Sequence, residues 1–96
     1  MEEKILTRHP EGKKGVNISK AKYDLIHRAI VGTLESGPLP FSQLADRIEA
    51  DLGNDFDGSV PWYVVTVKLD MEARGVIERI PKTSPQQLRL VEDPKT

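Results

Sequence analysis

The chain contains no cysteine and only two histidines among its 96 residues. The lack of cysteine excludes disulfide bonds and thiolate metal sites. The two histidines, His9 and His27, do not form a His-x-x-x-His pair, so no zinc site is expected. No apolar run approaches the roughly 18 residues of a membrane span, and the initial stretch MEEKILTRHPEGKKG lacks the apolar segment of a secretory signal. We therefore predict a soluble, cytoplasmic protein with no metal and no membrane partner.

Motifs for catalysis and for cofactor binding are also missing. No GxSxG elbow holds a serine. Residues 12–15 (GKKG) lack the GxxxxGK[ST] spacing of a phosphate-binding loop. Residues 55–58 (DFDG) resemble part of a calcium loop, but Gly53 and Val64 stand where its first and last ligands belong. We predict that the chain is not an enzyme and holds no cofactor.

Charge is small overall but unevenly distributed. The formal net charge is −1, which gives no general attraction to polyanions. Residues 1–28 contain seven Lys/Arg against four Asp/Glu, whereas residues 29–57 contain one against six. The N-terminal part is therefore basic and the middle of the chain acidic.

The hydrophobic pattern predicts one domain with three helices and few strands. Residues 1–18 lack periodicity and are predicted to form an extended N-terminal arm, residues 19–91 the folded domain, and residues 92–96 a polar tail. Ser19 can cap the first helix, which extends to about Ser36. Its core-facing stripe consists of Tyr23, Ile26, Ile30 and Leu34.

The second half of the domain supplies the remaining elements. Ser42 can cap a second helix that ends near Leu52. Before it, residues 39–41 form an extended link that could add a minimal strand. Residues 76–80 and 87–91 are two strand candidates whose spacing predicts a hairpin with a longer connection. Phe56, in the loop before the third helix, is predicted to pack into the core.

Residues 59–74 are predicted to form the helix around which the fold is organised. Ser59 can cap it, Pro61 fits its first turn and Gly75 can end it. On a helical wheel, one face is assigned to the core and consists of Trp62, Val65, Leu69 and Ala73. The opposite face is predicted to be exposed and holds Tyr63, Val67, Asp70 and Arg74, with Val60, Val64 and Met71 alongside.

Residues 69–79 (LDMEARGVIER) resemble the end of the recognition helix and the start of the wing in many bacterial transcription regulators. The order helix, link, helix, loop, helix and hairpin over residues 19–91 is also similar to the winged helix-turn-helix domain. This resemblance implies an α+β, winged helix-like fold with three helices, a small antiparallel sheet and one β-hairpin wing. More loosely, residues 9–26 and 58–70 look like segments of a small family of uncharacterised bacterial proteins.

The resemblance implies a role in DNA binding. In winged helix DNA binders the third helix enters the major groove and the hairpin contacts the backbone. The implied DNA contacts are Tyr63, Thr66, Lys68, Arg74, Arg79, Lys82 and Thr83.

The composition of this region also favours alternatives to DNA binding. Asp51, Asp55 and Asp57 precede the third helix and would repel phosphates. The helix face predicted to be exposed is mostly apolar, which is typical of a homodimer or protein-partner interface. Alternatively, the arm covers that face within the monomer. The residues of the alternative interface are Val60, Tyr63, Val64, Val67 and Met71.

Overall fold

A computed structural model of the protein describes residues 3–53, 55–82 and 86–91. Five strands and three helices follow one another within these ranges, and the predicted tail at 92–96 lies outside them. The elements are β1 (Lys4–Leu6), β2 (Asn17–Ser19), α1 (Lys20–Leu34), β3 (Leu39–Pro40), α2 (Phe41–Leu52), α3 (Val60–Ala73), β4 (Ile77–Ile80) and β5 (Gln87–Leu90).

Two of the three predicted helix caps are confirmed. The Ser19 hydroxyl accepts a hydrogen bond from the backbone N–H of Lys22 at the start of α1. The Ser59 hydroxyl does the same for Trp62 in α3. The predicted cap at Ser42 is wrong, because α2 already begins at Phe41. Pro40 precedes the helix in an extended conformation, with φ −62° and ψ 148°, and pairs in a strand, so the helix starts directly after it.

The five strands form two antiparallel sheets. In the larger sheet the order is β3-β5-β4, with Leu39 opposite Leu88 and Ile77 opposite Leu90. The link before α2 therefore contributes a strand, and β4 and β5 form the predicted hairpin. Together with the three helices this gives an α+β domain that is compatible with the winged helix-like description.

The N-terminal arm forms a β-hairpin, although its sequence showed no strand periodicity. β1 and β2 pair with Ile5 opposite Ile18. Just beyond β1, the Thr7 N–H donates to the Val16 carbonyl at 2.8 Å, and the Val16 N–H donates to the Thr7 hydroxyl at 3.0 Å. A turn closes the hairpin, in which the Gly12 N–H donates to the His9 carbonyl. Strands of three residues are too short to show a clear alternation of apolar and polar residues, so the sequence predicted only an extended arm.

The hydrophobic core lies where the helices meet the three-stranded sheet. The predicted stripe of α1 is confirmed, since all four of its residues are buried, and so is the burial of Phe56. Buried residues of β2, α2, α3, β4 and β5 complete this core. The buried apolar side chains are Ile18, Tyr23, Ile26, Ile30, Leu34, Leu44, Ile48, Phe56, Val60, Val64, Val67, Met71, Ile77 and Leu88.

The orientation predicted for α3 is wrong, because its two faces are exchanged. Trp62 and Val65 were assigned to the core, but their exposed fractions are 46% and 42%. The face predicted to be exposed is the buried one. Apolar residues occur on all sides of this helix, so a helical wheel offers no contrast by which to choose the core face.

The exchange also removes the alternative interface predicted from the sequence. Val60 is 3% exposed, and Val64, Val67 and Met71 are fully buried in the monomer core. Tyr63 is partly buried, with its ring edge-to-face against Phe56 at a centroid distance of 5.0 Å. These side chains therefore stabilise the domain and are not available to a partner.

Candidate interaction surface

The exposed face of α3 is an apolar strip. We define the α3 strip as Trp62, Val65, Thr66, Leu69 and Ala73, which recur at helical spacing along one side. Trp62 and Val65 are exposed and the other three are half-buried. None of the five carries a charge. Such a face differs from a typical DNA-reading helix, which presents Arg, Lys, Asn or Gln to the base edges.

The N-terminal arm extends this apolar surface. Large apolar side chains that are exposed within the described ranges are Leu6, Val16, Leu25, Trp62 and Val65. Four of these five lie on the arm or on α3. Val16 lines a cleft together with Thr66 and Leu69 of the α3 strip, and Leu6 lines a second cleft together with Ala73. The arm and α3 thus form one continuous surface.

Both clefts are lined with basic side chains and contain no carboxylate. The first has a volume of about 100 Å³, and Arg8, His9 and Lys14 line it beside Thr66 and Leu69. Arg8 and His9 also line the second cleft, where Lys13 joins them. Lys13 lies 3.3 Å from the carboxylate of Glu11, whereas no ion pair of Arg8 or Lys14 is found among the described residues. Positive charge is therefore concentrated where the arm meets the C-terminal half of α3.

A close backbone contact fixes the arm loop. A Cβ atom built on Gly15 would lie 1.7 Å from the carbonyl oxygen of Thr7. Only glycine permits this approach. Packing therefore explains the second glycine of the GKKG tetrapeptide. The same contact fixes the backbone next to the two lysines.

A buried carboxylate ties the arm to the helices. Asp70 is fully buried on α3. It accepts hydrogen bonds from the Tyr23 hydroxyl of α1 and from the backbone N–H of Arg8 at 2.8 Å. The Arg74 guanidinium lies 2.9 and 2.8 Å from its two oxygens. Three segments of the chain therefore contact one side chain. Burying a charge costs free energy unless the charge is paired and hydrogen-bonded, and these partners offset that cost.

This network shifts the acid–base behaviour of two of its members. Burial, followed by the hydrogen bond to Asp70 and the charge of Asp70, raises the pKa of the Tyr23 hydroxyl. The hydrogen bond to Asp70 also raises the pKa of Arg74. Tyr23 therefore stays protonated and continues to donate to the carboxylate.

A second ion-pair network joins α3 to β4. The Glu72 side chain, 7% exposed, lies 2.6 Å from the Lys68 ammonium and 2.9 Å from Arg79 Nε. Lys68 and Arg79 were predicted to contact DNA, as was Arg74, and all three are engaged with carboxylates of the same molecule. The i, i+4 spacing of Lys68 with Glu72 and of Asp70 with Arg74 was the sequence signal for these pairs.

The remaining predicted DNA contacts are dispersed. Thr66 lies in the α3 strip beside the first cleft. Lys82 is exposed in the turn after β4, with φ +67°, and Thr83 lies outside the described residues. Sequence reasoning missed Trp62 and Arg8 as surface candidates. The basic charge of the arm was visible in the sequence, but its position beside α3 was not.

Two further observations apply to the described part of the chain. No group of three His, Cys, Asp or Glu side chains there could hold a metal ion. None of the helices in those ranges has the length and apolar character needed to cross a bilayer.

Comparisons with known proteins identify one family to which the chain is related. Neither the curated proteins nor the solved structures contain a match to the chain. The model of a protein family of unknown function, DUF6958, matches residues 4–88. This span includes most of the arm, all three helices and most of the three-stranded sheet, so that every part of the candidate surface lies within it. The chain therefore belongs to the DUF6958 family.

Proposed function

We propose that this chain is a cytoplasmic polypeptide-binding module whose binding surface is the α3 strip together with the arm. The observation that carries the proposal is the exposure of Trp62 and Val65 on a helix face without charge. Contiguous exposed apolar surface of this kind is typical of sites that contact another polypeptide. The arm adds Val16 and Leu6 to the same surface.

The energetic basis of such binding rests mainly on Trp62. Its exposed part amounts to on the order of 100 Å², and burying that area contributes about 2.5 kcal/mol. Tryptophan is enriched among the residues that dominate protein interfaces. Its ring already lies edge-to-face against Tyr63 at a centroid distance of 4.9 Å, so part of its side-chain entropy is lost before binding.

Photo-crosslinking in cells tests this proposal directly. A photoreactive amino acid is placed at Val65, and in a matched control at Leu25, an exposed apolar position on α1. The proposal predicts a discrete polypeptide adduct from position 65 and none from position 25. No adduct at position 65, or equal adducts at both positions, would contradict it.

DNA binding is the second candidate, and the carboxylate-free clefts favour it. The order of elements is similar to the winged helix-turn-helix domain of bacterial transcription regulators, in which the third helix enters the major groove. Arg8 and Lys14 would contact phosphates beside that helix, and Lys82 would do so from the wing. Against this candidate, Lys68, Arg74 and Arg79 are engaged in ion pairs.

A titration at low ionic strength separates the two candidates. Fluorescence anisotropy of a labelled duplex is measured with the purified chain, with Lys14→Glu and with the control Arg47→Glu on the exposed side of α2. DNA binding predicts that log K falls with log salt, by about 0.9 per phosphate contact, and that only Lys14→Glu weakens it. A flat titration of the unaltered chain excludes this candidate.

A further inference from the structure

We infer that the polypeptide bound by the α3 strip is a second copy of this chain, packed with its α3 antiparallel to the first. This inference rests on the proposed function, and it names the partner for the same surface. The argument depends on how charge is arranged at the two ends of the strip.

The N-terminal end of the strip is acidic. Asp55 and Asp57 are exposed in the loop just before α3. The Asp57 side chain is 99% exposed and lies 3.7 Å from Lys22, a pairing that solvent largely screens. Carboxylates at this end are therefore accessible to an incoming positive group.

The C-terminal end of the strip is basic. The clefts beside Leu69 and Ala73 are both lined by Arg8 and contain no carboxylate, and Lys14 also lines the one beside Leu69. Trp62 and Ala73 are eleven residues apart, so the apolar strip separates the two charged ends by about 17 Å. The surface thus has opposite charges at its ends and apolar side chains between them.

A two-fold axis near Val65 and Thr66 makes this surface complementary to itself. Trp62 of one copy then lies opposite Leu69 of the other, because both are three or four residues from the axis. The acidic end of each copy meets the basic end of the other at two equivalent places. The antiparallel arrangement also pairs opposite ends of the two helix dipoles. A parallel arrangement would instead bring like charges together.

The size of the strip indicates a reversible dimer. A single helix face with a neighbouring hairpin provides a small interface, and small interfaces are typical of transient complexes. Sedimentation equilibrium should therefore show a monomer–dimer equilibrium that depends on concentration. Val65→Asp should abolish the dimer, and Leu25→Asp, a charge at an exposed position on α1, should leave it unchanged.

Charge reversal tests the antiparallel arrangement. One variant carries Asp55→Lys and Asp57→Lys, and the other carries Arg8→Glu and Lys14→Glu. Arg8 holds Asp70 through its backbone N–H, so the second variant retains that hydrogen bond. Each variant alone should dimerise at least about tenfold more weakly, equivalent to about 1.4 kcal/mol. An equimolar mixture should recover the dimer, because both contact places then join opposite charges. Circular dichroism verifies that every variant is folded.

The outcomes separate this inference from the function on which it rests. A purified chain that stays monomeric at all concentrations overturns the inference, as does a Val65→Asp variant that still dimerises. A dimer that neither variant alone weakens overturns the antiparallel arrangement, as does a dimer without recovery in the mixture. In the crosslinking experiment, an adduct of twice the mass of the chain supports both proposals. An adduct of another mass overturns the second copy and leaves polypeptide binding in place, whereas no adduct at position 65 overturns both.

Discussion

The hydroxyl of Tyr23 on α1 donates a hydrogen bond to the buried carboxylate of Asp70 on α3, a residue 47 positions later in the chain. The same carboxylate holds the backbone of Arg8 in the arm. The helical core and the arm beside the α3 strip are therefore joined through one side chain. Asp70 therefore helps to hold the basic clefts in place, although it does not itself reach the surface.

Removing this carboxylate should destabilise the domain strongly. In Asp70→Ala the Tyr23 hydroxyl and the Arg8 N–H lose their acceptor, and Arg74 loses its partner. We expect the free energy of unfolding to fall by about 3 kcal/mol, measured by urea denaturation. Tyr23→Phe removes only one donor and should cost about 1–2 kcal/mol. Equal losses in the two variants would contradict a shared network centred on Asp70.

Alkaline pH should destabilise the protein through Tyr23. Its pKa is raised in the folded state by burial and by Asp70, so the folded state holds the proton more tightly than the unfolded state. The resulting stability is fully present below a pH of about 10, the pKa of a free tyrosine, and is lost as the pH rises above it. Urea denaturation between pH 8 and 11 should show this loss, and Tyr23→Phe should reduce it. An unchanged pH profile in the variant would exclude Tyr23 as its source.

Two glycines should respond in opposite directions to replacement by alanine. Gly15→Ala places a Cβ atom against the Thr7 carbonyl and should destabilise the arm hairpin. Gly32 lies in the interior of α1 with nothing within 4 Å of an added Cβ. Gly32→Ala should therefore stabilise the protein, by about 0.5–1 kcal/mol. Thermal denaturation of both variants checks the pair, and hydrogen exchange of the Thr7 and Val16 amides localises the effect of Gly15→Ala. A stabilised Gly15→Ala variant would contradict the close contact.

Much of the fold was predictable because local signals agreed with one another. The other sides of α1 are mostly polar, so its core face was clear, and Ser19 and Ser59 marked where two helices begin. The strand at Leu39–Pro40 was anticipated only as an option, since two residues carry no periodicity. The arm hairpin depends on contacts with distant segments, among them Arg8 with Asp70, and no local pattern encodes such contacts.

The candidate surface was predictable only in part. The sequence identified α3 as the helix that carries it, but not which side of α3 faces outward. Hydrophobicity could not decide, because Val64 and Val65 are the same residue type. The decisive information was the burial of Asp70, whose three hydrogen-bonding partners lie in α1, directly after α3 and in the arm. A carboxylate on a helical wheel is usually assigned to solvent, whereas Asp70 lies on the core face.

The adjacent valines of α3 provide the sharpest test of its orientation. Val64 is fully buried and Val65 is 42% exposed. Val64→Ala should lower the free energy of unfolding by about 2 kcal/mol, because it removes core contacts and leaves a cavity. Val65→Ala should change it by less than about 0.5 kcal/mol, as for other surface substitutions. Both variants carry the same chemical change in the same helix, so differences in helix propensity cancel between them. Urea denaturation measures both, at a protein concentration low enough to exclude self-association. The reverse order of the two losses would restore the orientation predicted from the sequence and remove the α3 strip from the surface.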